Sequence, residues 1–146
     1  MNDLAAIAYA SKAARPLDSH DLDGLLIDAR AFNEKVRVTG ALLHHQGAFF
    51  QYFEGAPAAV ARVYERIKKS STHHHLIELL NQPTDARQFA HWHMAFTETP
   101  ATVLQELSNE IWEMLLPGLH GRQTRSPGLE LLLNFWDTVK HSHPSS

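Results

Sequence analysis

The sequence predicts an α+β domain, a ferredoxin-like βαββαββ sandwich with two additional C-terminal helices packed on the open sheet face. Three observations carry this. Short apolar or alternating stretches are interleaved with stretches whose apolar residues recur every three to four positions. Their order is strand, helix, strand, strand, helix, strand, strand. From about residue 101 onward only helical periodicity remains.

Residues 4–10, Leu-Ala-Ala-Ile-Ala-Tyr-Ala, read as the first strand, and a polar connection with a proline follows. Asp18 can cap a helix running to about Phe32, with Asp21 favourable in its first turn. Leu22, Leu25, Leu26 and Ala29 form its apolar face, and Asn33 continues that face one turn on. Residues 36–45 and 48–55 read as a hairpin, with Gln46-Gly47 supplying the turn. In the second arm Phe49, Gln51 and Phe53 share one face, and Phe50, Tyr52 and Glu54 the other. Pro57 suits the first turn of a second helix whose buried stripe is Val60, Val63, Tyr64 and Ile67. Residues 75–81 and 93–97 read as the last two strands.

Two stripes follow. Leu104, Leu107, Ile111, Met114 and Leu115 form one, ended by Pro117-Gly118. Leu129, Leu132, Leu133, Trp136 and Val139 form the other. Both are expected to cover the sheet face that would otherwise expose a large apolar surface. Trp112 and Leu116 fall off the third helix's stripe and are candidates for self-association or partner docking. The expected organisation is a sandwich over residues 1–97, a helical pair over 98–140 and a disordered polar tail over 141–146.

Composition narrows the function. A chain of 146 residues is sized for one domain and can bury a core without covalent staples. It has no cysteine, which removes disulfides, thiolate ligands and a cysteine nucleophile. The net charge of -3, with dispersed basic residues, argues against a nucleic-acid partner. No apolar run approaches the ~20 residues that span a bilayer, and no basic stretch precedes the first apolar one, so no membrane partner is expected and the cytoplasm is the expected location.

Polar residues in apolar positions then draw the eye. An unpartnered buried amide costs about 1–3 kcal/mol, so Asn33 and Gln51 each need a partner. Backbone groups or water could satisfy either one locally, and Tyr9 alone reads as an ordinary core tyrosine. In this topology the first and third strands are central neighbours, and both sandwich helices cover one face. Tyr9, Asn33 and Gln51 can therefore converge beneath them. Such a set lacks a base near pH 7 and an activated nucleophile. It suits a flat heterocycle with carbonyl, imide and ring-nitrogen edges.

These residues carry a resemblance to the BLUF family, the sensors of blue light using flavin. It spans roughly residues 4–97. Its elements are Tyr9-Ala-Ser11, Asn33 six residues before Thr39-Gly40, Phe49-Phe50-Gln51-Tyr52-Phe53-Glu54-Gly55, and Trp92-His93-Met94 following Arg87-Gln88-Phe89. The resemblance implies a non-covalently bound flavin, FAD in the first instance with FMN or riboflavin as alternatives. It implies that Asn33 binds the imide edge, that Gln51 lies between flavin and tyrosine, and that Tyr9 is the photochemical electron donor. After a short-lived radical pair the glutamine is left rotated or tautomerised, and a new hydrogen bond to a flavin carbonyl shifts absorption to the red. Trp92 and Met94 share a parity on the fifth strand, and the resemblance implies that one of them approaches Gln51 and relays the signal. Arg66, His73 and Arg30 are candidates for the ribityl-phosphate tail. Phe32, Val36 and Arg37 depart from the family pattern at positions often polar or glycine.

The chain is expected to be no enzyme but a sensor that signals to a downstream effector protein, and to form a homo-oligomer. Rival readings were a histidine metal site, a hydrolase of acylphosphatase type and a purely structural module. His73-His74-His75, His44-His45 and His91 with His93 lack an accompanying carboxylate pattern, so no metal is expected. The segment from Ser11 to Leu17 has no glycine to cradle a phosphate.

Overall fold

The computed structural model describes residues 4–70, 73–112 and 126–142. Five strands and four helices run in the order β1 (Leu4–Ala13), α1 (Ser19–Val36), β2 (Thr39–His45), β3 (Ala48–Gly55), α2 (Pro57–Lys69), β4 (His73–Thr84), β5 (Ala95–Glu98), α3 (Ala101–Asn109) and α4 (Pro127–Ser142). The sheet order is β4-β1-β3-β2-β5. β1 lies antiparallel to β3 and β4, β2 antiparallel to β3, and β5 parallel to β2. This is the α+β sandwich that the element order predicted.

Local chemistry explains the boundaries. Asp18 caps α1 in a capping box: the Asp21 N–H donates to Asp18 Oδ1 at 2.8 Å, and the Asp18 N–H to Asp21 Oδ2 at 3.1 Å. α1 runs four residues past the expected Phe32, to Val36, and ends on Arg37 in the left-handed conformation (φ 60°). With no glycine or proline after Phe32, nothing stops the helix earlier, and β2 starts at Thr39 rather than at 36. Gln46 and Gly47 both take positive φ, 46° and 83°, as a tight hairpin turn needs. Pro57 opens α2 as expected.

The fifth strand is shorter than expected and starts later. Residues 91–94 form turns and bends, and pairing with β2 begins only at Ala95. The two-residue period therefore does not apply to Trp92 and Met94. Met94 is 2% exposed and Trp92 37%.

The sheet buries both faces. One, with Ala6, Ala8, Leu43, Phe50 and Tyr52, packs against Leu104, Leu107, Leu129 and Leu132 of the C-terminal helices. α3 ends at Asn109, so the helical phase does not extend to residues 111 and 112. Ile111, placed on the stripe by periodicity, is 64% exposed. Trp112, expected as a docking residue, is buried instead. Its ring stacks on Phe50 at 5.3 Å and on Tyr52 at 6.4 Å, and its Nε1–H donates to Leu107 O at 2.8 Å. Gly128 in the first turn of α4 lies against that ring, where any Cβ would collide with the indole. Leu116, Met114, Leu115 and Pro117-Gly118 lie outside the described residues. α4 continues through Ser142, and residues 143–146 of the expected tail also lie outside them. No described helix is long and apolar enough to cross a membrane.

Trp112 thus wedges the sheet against α4. Trp112→Ala is expected to destabilise the fold by about 3–5 kcal/mol in chemical denaturation. A loss below about 1 kcal/mol would mean that the ring is peripheral.

Candidate functional site

The opposite sheet face carries two apolar clusters rather than one. In one, Val60, Val63 and Tyr64 of α2 pack on Ile7, Tyr9 and Phe53. In the other, Leu26 of α1 packs with Leu42, Phe49 and Met94. Between them a cavity of about 640 Å³ opens between the two helices. Leu42 and Gln51 floor it, Asn33 and Ala29 stand on the α1 wall, and Val63 and Ile67 on the α2 wall. No described residue beyond Ser70 lines it, so the C-terminal helices do not complete it.

Strand register builds its centre. Tyr9 on β1 lies directly opposite Gln51 on β3, so both side chains project to the same face. The Tyr9 hydroxyl donates to Gln51 Oε1. Gln51 Nε2 then points at Met94 Sδ, 3.6 Å away. A thioether is a weak acceptor, so this amide donor is poorly satisfied on the protein side and available to a better one in the cavity. Tyr9 is wholly buried. Burial, and secondarily Tyr64, pushes its hydroxyl well above the ordinary tyrosine range. The phenol is therefore neutral in the folded chain, and Gln51 Oε1 accepts its proton in a hydrogen bond.

Asn33 is 2% exposed and donates through Nδ2 to His93 O at 2.9 Å. Its Oδ1 remains for the cavity it lines. Arg66 lines the cavity too and stacks over Phe32 at 4.5 Å, beside Lys69 at the end of α2. Arg30 does not face the cavity. Its Nε–H donates to Met94 O at 2.9 Å, so it holds the segment before β5 rather than a ligand tail. His73 opens β4, and its side chain lies outside the described residues. The motif glycine Gly40 has a physical reason: a Cβ there would run into the Tyr52 carbonyl, and the Gly40 N–H donates to Trp92 O at 3.0 Å.

The structure therefore brings Tyr9, Gln51, Asn33 and Met94 together, sets Arg66 at the mouth, and leaves Trp92 outside. Sequence reasoning missed Lys69 and the backbone contacts of Arg30. It also missed Glu54, although the argument that flagged Gln51, a polar residue on a buried strand face, applies to it equally. Among the described residues no three His, Asp or Glu side chains converge as a metal site. His44 is held instead by Glu98, at 2.7 Å from Nδ1, and by the Gly47 N–H, at 2.9 Å from Nε2.

A cavity of this size lies within the roughly 300–1,000 Å³ typical of small-molecule sites. Its lining combines apolar side chains, the amides of Asn33 and Gln51, the cations of Arg15, Arg66 and Lys69, and the carboxylates of Asp21 and Asp28. The sequence profile of the family described as "Sensors of blue-light using FAD" matches residues 4–95. The chain belongs to this family, BLUF, and is a blue-light sensor that uses a flavin. The residues present fit that group: Asn33 and Gln51 bring amide donors and acceptors to the cavity, and Arg66 and Lys69 bring cations.

Photoactivated adenylate cyclase subunit alpha of Euglena gracilis is 34% identical over 86 residues, which is 59% of this chain and 8% of that protein. The chain thus spans only about 8% of the length of the curated relatives it matches. Among solved structures, the photo-activated state of BlsA aligns with a TM-score of 0.61 at 27% identity, covering 73% of this chain and 77% of that one. A bacterial light-regulated adenylyl cyclase aligns with a TM-score of 0.63 at 21% identity over 96% of this chain and 34% of its own, a likeness of fold.

The upward shift of the Tyr9 hydroxyl has a measurable consequence. Above the ordinary tyrosine value of 10.0 the unfolded chain loses the Tyr9 proton while the folded chain keeps it. The folded state then binds more protons, so stability falls as pH rises through this range. The thermal midpoint of the wild type is expected to decline from about pH 9 to 11, with a shallower decline in Tyr9→Phe. Identical slopes would contradict the assignment.

Proposed function

We propose that Tyr9 is the photochemical electron donor, Gln51 the switch and Met94 the first relay of a sensor that acts by contact with another protein. The observation that carries this is the Tyr9–Gln51–Met94 chain of contacts, of which Gln51 lines the cavity. When bound, the flavin supplies blue-light absorption and accepts one electron. Tyr9 would give up that electron and its hydroxyl proton toward the flavin, the proton being taken up at Gln51 Oε1 as Nε2 releases one on the cavity side. A bare phenol oxidation at a site this buried would leave an unbalanced charge, so the proton shift through Gln51 accompanies the electron and leaves both side chains neutral. The return of electron and proton to Tyr9 leaves Gln51 rotated or in its imidic form, with donor and acceptor exchanged between its neighbours. Met94 Sδ then faces a changed partner, and the segment that carries it is biased.

In this reading Asn33 holds the imide edge and Arg66 the phosphate, for FAD or for the shorter FMN and riboflavin. Arg30 positions the relay segment. The chain itself is proposed to carry no enzymatic step, because Asn33 and Gln51 in the cavity and the Tyr9 phenol bonded to Gln51 supply neither a base near pH 7 nor an activated nucleophile. The downstream partner is an effector protein, reached from a cytoplasmic chain that associates with itself or with that effector. The aromatic contact of Trp92 with Trp136 on α4, at 5.6 Å, supports α4 as the route outward. Phe89 touches both rings, at 6.2 and 5.9 Å.

The test is the visible spectrum before and after blue light. The purified chain is expected to be yellow and to show a reversible red shift. Tyr9→Phe and Gln51→Leu are each expected to keep the colour and lose the shift. An undiminished shift in both variants would overturn the assignment of roles while leaving flavin binding intact.

A further inference from the structure

The carboxylate of Glu54 is buried on the sheet face away from the flavin cavity, and its donors come from three parts of the chain. It is 0% exposed. The Gln88 N–H lies 2.8 Å from each of its oxygens, and the Phe89 N–H donates to Oε2 at 2.6 Å. The Tyr52 hydroxyl donates to Oε1 at 3.1 Å and the Thr39 hydroxyl to Oε2 at 3.3 Å. Thr39 Oγ1 in turn accepts from Arg87 Nη1 at 2.9 Å, while Arg87 Nη2 donates to Arg37 O at 2.9 Å. A carboxylate is the side chain that accepts from this many donors at once. Burial pushes the Glu54 carboxyl above the ordinary glutamate range, and the two backbone N–H groups oppose that shift by favouring the charged form.

The donors matter because of where the chain goes next. Gln88 and Phe89 open the stretch that turns through Trp92 and delivers Met94 to Gln51. The Trp92 N–H donates to Phe89 O at 3.1 Å, so the clamp at residue 89 passes to residue 92 through one backbone bond. Beyond it the Gly40 N–H donates to Trp92 O at 3.0 Å, Asn33 and Arg30 donate to the carbonyls of His93 and Met94, and Met94 Sδ takes the weak amide–thioether contact. The stretch therefore has one strongly charge-assisted end and one end on the photochemical amide.

We propose that Glu54 is a positioning residue of the photocycle: its carboxylate fixes the near end of the 88–94 segment, so that a change at Gln51 displaces Met94 against a fixed point and reverses at a rate set by that clamp. The proposal rests on the reading of Gln51 and Met94 given above. Glu54 touches neither the cavity nor Gln51, so its effect comes through the segment. With the clamp weakened, the segment relaxes around Met94 and the barrier to resetting Gln51 falls.

The test uses the full flavin-loaded chain and Glu54→Gln, which keeps shape and removes the charge. Three quantities are read: amide hydrogen exchange at Gln88 and Phe89 in darkness, thermal midpoint, and the rate of dark recovery. Exchange at both amides is expected to rise about 10-fold or more, and recovery to quicken by about 5-fold, with the red shift preserved. Thr39→Val, which removes one donor and the Arg87 acceptor, is expected to move both quantities the same way by a smaller factor. If Glu54→Gln does not fold, Thr39→Val decides alone. A lower thermal midpoint with unchanged recovery would reduce Glu54 to a structural residue and overturn the proposal, as would unchanged exchange at both amides. A wild type without any red shift would instead sink the underlying reading of Gln51.

Discussion

One hydrogen bond organises this molecule, that from the Tyr9 hydroxyl to the Gln51 amide. It exists because β1 and β3 are central neighbours in a register that sets the two residues directly opposite. A one-residue slip of either strand would turn its side chain to the other face and separate the pair. Register is therefore the primary constraint, and the apolar residues on both faces enforce it. The bond also decides what the amide can do. With Oε1 committed to Tyr9, Nε2 is left with a thioether and the cavity, and that asymmetry is what a reversal of the amide would invert.

The sheet separates two tasks. Its α1/α2 face holds the cavity between two apolar clusters, and the other face carries the C-terminal helices on Phe50, Tyr52 and Trp112. The stretch from Arg87 to Met94 is the part that touches both. Its first residues bond to Glu54 on the helical side, its aromatic rings lean on Trp136 of α4, and its last residue reaches Gln51 on the cavity side. A modest bias at Gln51, of the order of 1–3 kcal/mol, can reach α4 only through this stretch if the remaining core stays packed.

Much of this was legible in the sequence. Alternation around Gln51, the α1 face continued by Asn33, the Gln46-Gly47 turn and the order of elements together define the sandwich and its central site. What was not legible has particular causes. Periodicity assumes an element continues, and it misplaced Ile111 and Trp112 because α3 stops at Asn109. The same assumption paired Trp92 with Met94, although residues 91–94 are irregular and send the two side chains to different environments. Arg30 was read as a phosphate ligand from its charge. Its partner is a backbone carbonyl 64 residues away, and tertiary contacts to backbone leave no trace in side-chain pattern.

The central claim is that light changes the hydrogen bonding of one glutamine side chain. It is tested most directly by the light-minus-dark infrared difference spectrum of the flavin-loaded chain with side-chain carbonyl ¹³C-labelled glutamine. The account predicts an isotope-sensitive glutamine carbonyl band that differs between the two states, together with amide bands from the backbone around Met94. The other glutamines cancel in the difference. A difference spectrum with no isotope-sensitive glutamine band, in a chain that nonetheless shows the reversible red shift, would contradict it.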